Sequence, residues 1–162
     1  CGRSGDLYTQ SMRPFRGIKA LIFSVIAGYH FDRGDRVKAR NWMDRTFAID
    51  LAHDSSVIGT DAILYVLEGR SSKAAARFND CLAAIEQRPS ANDEYLRTYC
   101  SFWLKILFDQ ASAAELEDMT IRAFGLKVDA WFQRRFRFPP REAIQKTLGQ
   151  TKSYTMQLTI DF

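Results

Sequence analysis

The sequence predicts an all-α chain of antiparallel helical hairpins that ends in one β-strand. Three observations carry that expectation. Apolar residues recur at helical spacing over most of residues 12–136, two stretches can be laid over each other with a period of about 35 residues, and residues 154–162 alternate apolar with polar side chains.

With 162 residues, 46% of them apolar and 26% charged, the chain is long enough to bury a core as a single domain and too apolar to be disordered. Its net charge of +4 is unevenly placed. Between Arg122 and Arg141 lie Arg122, Lys127, Arg134, Arg135, Arg137 and Arg141 against Asp129 alone, a window of +5 that leaves about −1 for the rest.

The first segment, residues 1–11, is open to three readings. Cys1-Gly2 suits a lipid-anchored envelope protein, acylated at Cys1. DLYTQS is similar to the cleavage site of a plant-virus protease at Leu7, Tyr8, Gln10 and Ser11, with Gly5 where glutamate is usual. The native chain would then start at Met12. The third reading is a natural segment with its start trimmed. Arg13, Arg16 and Lys19 before ALIFSVIAGY also imitate a signal peptide cleaved after Ala27. That apolar run falls well short of the roughly 18–20 residues a membrane span needs, so it is assigned to a core helix.

The helical hairpins run over residues 12–138. In the first, Ala27 and His30 precede Gly34, and Ala39, Met43 and Thr46 follow it. In the second, Ala62 and Tyr65 precede Gly69, and Ala74, Phe78 and Cys81 follow at the same intervals. A small residue lets two helices cross closely, glycine ends the first helix, and a bulky residue of the second fills the space between. This pattern resembles the tetratricopeptide repeat over roughly residues 20–90. AILYVLEGRSSKAAARFNDCLAAIEQRP is the better copy; the first has His30 where an aromatic is usual and Thr46 where alanine is usual, and neither has the early tryptophan. The resemblance implies a concave surface for a protein partner, with Leu21, Ser24, Phe31, Ile63 and Val66 as groove residues. The family's carboxylate clamp is missing, since Ser24, Gly28, Gly59 and Ile63 stand in its places.

The expected helices are 12–32, 35–52, 55–68, 71–87, 92–109 and 112–136. Ser112 and Glu115 form a capping box opening the last, which Gly125 kinks or splits. Pro139-Pro140 breaks the chain, and residues 139–162 hold a short helix at 140–148, ended by Gly149, and the strand.

Chemistry-bearing residues are sparse. Cys81 and Cys100 fall among apolar helical positions, and with His30 and His53 the only histidines no metal site or Cys/His couple can be drawn. Glu115, Glu117 and Asp118, like Asp93 and Glu94, sit at helix starts, where carboxylates favour the helix dipole without doing chemistry. Neither a catalytic motif nor a cofactor motif is present, and the expectation is a protein that is not an enzyme.

AWFQRRFRFPPR interleaves Trp131, Phe132, Phe136 and Phe138 with Arg134, Arg135, Arg137 and Arg141. Such a stretch suits nucleic acid, an anionic membrane or an acidic protein face, or else an amphipathic helix end with its aromatics inward. In the tail, Tyr154, Met156, Leu158, Ile160 and Phe162 form the apolar face of a strand that needs a partner. Another chain, a second copy, the 134–138 segment, or packing over helices would each supply one. The function expected is a protein–protein adaptor, scaffold or assembly factor of a larger, bacterial complex, cytoplasmic or envelope-located. A nucleic-acid accessory protein and a lipid-anchored envelope protein are the alternatives.

Overall fold

A computed structural model describes residues 13–49 and 54–144. The chain divides into two compact units, Cys1–His53 and Asp54–Phe162. Seven helices lie wholly within the described residues, an eighth begins at residue 141, and no strand falls among them. The strand expected at 154–162, the end of the helix expected at 140–148, and Cys1 with its segment lie outside them; residues 141–144 are helical.

The first unit is a hairpin of α1, Arg13–Asp32, and α2, Arg36–Phe47. Gly34 at φ 75° ends α1. Its N–H donates to the Phe31 carbonyl at 2.9 Å, and the Asp35 N–H donates to that of His30 at 3.0 Å. This two-bond closure satisfies carbonyls left over at the helix end, and it needs the left-handed conformation that glycine adopts without strain. Asp35 then caps α2, accepting from the Lys38 N–H at 3.1 Å and from its ammonium at 2.9 Å. Those Lys38 hydrogen bonds hold the Asp35 carboxyl below its ordinary range. Ala27, Ala39, Met43 and Thr46 are all buried, and the rings of Phe23 and Trp42 join the two helices at 5.1 Å.

The second unit opens with a hairpin of the same design, α3 (Ser55–Leu67) and α4 (Ser71–Gln87). Gly69, at φ 70°, donates to the Val66 carbonyl at 3.0 Å while Arg70 donates to that of Tyr65 at 2.9 Å. Ala62, Ala74, Phe78 and Cys81 are fully buried. Helix α3 is buried nearly all round, as a helix without a polar face must be. Its one deeply buried charge, Asp61, meets the Arg77 guanidinium of α4 at 2.8 Å.

Helix α5, Asp93–Leu107, turns Tyr95, Leu96, Tyr99, Cys100, Phe102 and Trp103 inward. It ends on Asp109 at φ 53°, where the Asp109 N–H reaches the Ile106 carbonyl and the Gln110 N–H that of Lys105. The closure matches those at Gly34 and Gly69, although no glycine is present. Ser112 caps α6, Ala113–Phe124, accepting from the Glu115 N–H, whereas the Glu115 carboxylate goes to Lys105 instead of back to the cap. Of the two outcomes expected at Gly125 for the helix over 112–136, a kink or a split, the structure has the split. Gly125 caps α6, and Asp129 starts α7, Ala130–Arg135, by accepting from the N–H groups of Trp131 and Phe132. Likewise the second helix, expected to reach residue 52, ends at Phe47.

Beyond α7 the chain closes back on α5. Phe136 is fully buried, and its carbonyl accepts the Tyr95 hydroxyl at 2.8 Å. Phe138 lies edge-on to Phe102, Tyr99 and Tyr95, at 5.0, 5.4 and 5.7 Å. Tyr99 also touches Phe78, Trp103 and Phe136, so rings from α4, α5 and the chain after α7 make one cluster. The ring of Phe136 lies so close to α3 that a Cβ on Gly59 would sit 2.9 Å from its Cε1.

Gly59→Ala is therefore expected to lower stability by about 1–2 kcal/mol, overpacking outweighing the gain in helix propensity. The loss should shrink to near nothing in a Phe136→Leu background, read as a coupling energy in urea titrations. Asp109→Gly should do the reverse, raising stability by about 0.5–1 kcal/mol through relief of the left-handed strain. Burial pushes the Tyr95 hydroxyl up to about 12 and raises that of Tyr99 as well. Above pH about 10 the unfolded chain releases these protons and the folded chain keeps them, so stability falls as pH rises. Urea midpoints should drop between pH 10 and 12, and less steeply in Tyr99→Phe.

Candidate interaction surface

Of the expected groove residues, three are buried. Ile63 is fully buried, and Val66 and Phe31 are 4% exposed each. Ile63 and Val66 belong to α3, a helix buried on nearly every side. Leu21 is the exception, 62% exposed, and it stands in a row with Ile18, Ile22, Val25 and Tyr29, all at least half exposed. Ser24 is half-buried, its hydroxyl donating to the Leu21 carbonyl.

The basic aromatic stretch takes the form of a helix end. Phe132 and Phe136 face inward and Phe138 joins the ring cluster, while Arg134 and Arg137 are exposed. Arg135 is 5% exposed and lies with its guanidinium carbon 4.9 Å from the centre of the half-exposed Trp131 ring. Arg141 is exposed but reaches Glu117 of α6 at 3.3 Å. Residues 134–138, one of the alternatives for a segment that could pair with the tail, finish α7, and the Phe136 carbonyl then accepts from a side chain, not from a ladder.

Two concavities flank α6. A cleft of about 230 Å³ is walled by Ala113, Thr120, Ile121, Pro139 and Ile144, with the Glu117–Arg141 pair at its rim. Ile121, 65% exposed, and Phe124 on the same helix, 84% exposed, are the most exposed large apolar side chains among the described residues of the second unit. Sequence reading passed over both, because one apolar residue at each outward turn does not break a helical pattern. Between α5 and α6 runs a groove of about 640 Å³ whose lining includes Thr98, Ser101, Lys105, Glu115, Met119 and Leu126. Two of its cations are paired locally, Lys105 with Glu115 and Arg122 with Asp118. Among the carboxylates at those helix starts, Glu115, Glu117 and Asp118 make ion pairs and Asp93 accepts from the Ser90 hydroxyl.

Cys81 and Cys100 are free thiols, both fully buried. Cys81 donates to the Ser55 carbonyl at 3.1 Å. The hydrogen bond with Cys81, and burial after it, push the Cys100 thiol well above its ordinary value, which suppresses its nucleophilic thiolate. Among the described residues no group of three or more His, Cys, Asp or Glu side chains is placed to hold a metal ion, and no helix is long and apolar enough to cross a membrane. Compared with protein-family models, with curated proteins and with solved structures, the chain finds no match.

Proposed function

We propose that this chain is a protein-interaction adaptor built on tetratricopeptide-like helical hairpins. The observation that carries the reading is the agreement of its first two hairpins. Each closes on a left-handed glycine through the same pair of hydrogen bonds, and each buries its small and bulky residues at equivalent positions. Hairpins of this kind serve as rigid scaffolds for binding surfaces more often than as sites of chemistry.

The surface best suited to a protein partner is the outer face of α6. Phe124 and Ile121 are side chains whose exposure costs solvation and contributes nothing to the core, and the adjoining cleft can take an apolar anchor. The tail residues Tyr154, Met156, Leu158, Ile160 and Phe162 remain a proposed second docking element, one that would add a strand to a partner. A nucleic-acid reading draws less support, because Arg135 is buried and Arg141 is engaged by Glu117.

Capture from the native host under gentle conditions, with bound proteins identified by mass spectrometry, is the test. The intact chain should retain a partner that Phe124→Asp loses by at least about tenfold, as expected of a central apolar contact. Thermal melting of Phe124→Asp should stay unchanged, since the side chain touches little. Retention of no protein, or equal retention by Phe124→Asp, would count against the adaptor and against this face respectively.

A further inference from the structure

The outward face of α1 has a chemistry of its own. Ile18, Leu21, Ile22, Val25 and Tyr29 fall at i, i+3, i+4, i+7 and i+11, one straight stripe about 16 Å long. Their exposures are 56, 62, 50, 63 and 53%. Within residues 18–29 Lys19 is the one charge, and it lies over the Phe23 ring at 5.5 Å, beside the stripe. Arg33 closes the far end, its guanidinium carbon 4.6 Å from the centre of the Tyr29 ring, with Asp32 next to it. The opposite side of α1 is spoken for, with Ala20, Ala27 and Phe31 buried and Phe23 against Trp42.

Charge singles out the occupant. Residues 13–49 hold eight Lys or Arg against three Asp, a net of +5 that exceeds the charge of the whole chain. Two such hairpins would repel each other across a symmetric α1–α1 contact. An anionic surface would be attracted. A narrow aliphatic stripe with a terminal tyrosine, held on a cationic scaffold, matches what a helix needs to lie in the headgroup layer of an anionic bilayer. In that layer the aliphatic side chains enter the acyl boundary, the tyrosine ring sits at headgroup depth, and lysine and arginine meet lipid phosphates. Because α1 is packed along its other side, it can lie on such a surface and cannot cross it.

We infer that the α1 face is a peripheral docking surface for anionic lipid, separate from the protein-binding face of α6. Sedimentation of the full chain with phosphatidylcholine vesicles, with and without phosphatidylglycerol, tests it. The chain should pellet with the phosphatidylglycerol vesicles and not with phosphatidylcholine alone, and added salt should weaken binding. Leu21→Glu with Val25→Glu should reduce binding by at least about tenfold, Val25→Ser by less, and Lys19→Glu by about fivefold or more. Helical circular dichroism should be unchanged in each, since these side chains are exposed. Arg134→Ala with Arg137→Ala should keep most of the binding.

Absence of binding to phosphatidylglycerol vesicles would overturn the inference. So would binding that survives Leu21→Glu with Val25→Glu, or a concentration-dependent dimer that dissolves in that variant without any vesicle binding. The last result would make the stripe an interface between copies. The capture experiment on Phe124 reads a different helix and a different partner, so either proposal can fail alone.

Discussion

Phe136 ties the second unit together by two contacts of different kinds. Its ring presses against the backbone of α3 at Gly59, leaving no room there for a Cβ, and its carbonyl accepts the hydroxyl of Tyr95 on α5. The first contact sets how closely the chain after α7 approaches α3, and the second pays the hydrogen-bond debt of a buried carbonyl and a buried hydroxyl at once. Tyr99, Phe102 and Phe138 can then complete an edge-to-face cluster, a geometry in which ring quadrupoles attract. Tyr95, Tyr99 and Phe102 of α5 are covered by that closure, while Trp103 stacks on Phe78 of α4. The position of the 139–144 segment against α6, where Arg141 meets Glu117 and Ile144 is buried, follows from the same closure.

The three turns show how one backbone geometry can be written in different residues. Gly34 and Gly69 were legible because a glycine at the end of an apolar-periodic run is a strong signal for left-handed closure. Asp109 adopts the same conformation and makes the same two bonds, but aspartate at that place reads as an ordinary polar residue. The turn between α5 and α6 therefore carried no glycine signal, although its geometry is the same. Gly125 illustrates the opposite case. It signalled an interruption, and α6 does end there, but with Gly125 in right-handed helical conformation and Asp129 restarting the chain.

Periodicity was informative about which residues are apolar at which face and silent about what covers that face. It placed Ala27, Ala62, Ala74 and Phe78 inside, where they are. It could not distinguish Leu21 from Ile63, since both sit on helices with apolar residues on more than one side, yet one is 62% exposed and the other fully buried. Gly59 was read only as a position lacking a clamp residue. Its close approach to Phe136 spans 77 residues of sequence and depends on tertiary packing. In the arginine-rich stretch, alternation alone could not separate a strand from a helix end. The Asp129 cap and the inward aromatics decide for the helix.

Exposed apolar residues on the two units call for different explanations. Phe124 is a single protruding ring on a helix whose charged neighbours, Asp118 with Arg122 and Glu117 with Arg141, already neutralise each other. A local, nearly neutral contact with a shaped partner fits that setting. The α1 stripe is longer and mostly aliphatic, and it belongs to a segment with an unbalanced positive charge. Folding does not explain it, because glutamate or lysine at Leu21, Val25 or Tyr29 would leave the buried side of the hairpin intact and improve solvation of the exposed one. Five apolar side chains held outward on one face, with cations beside them, make sense when water is not the medium that face meets in use.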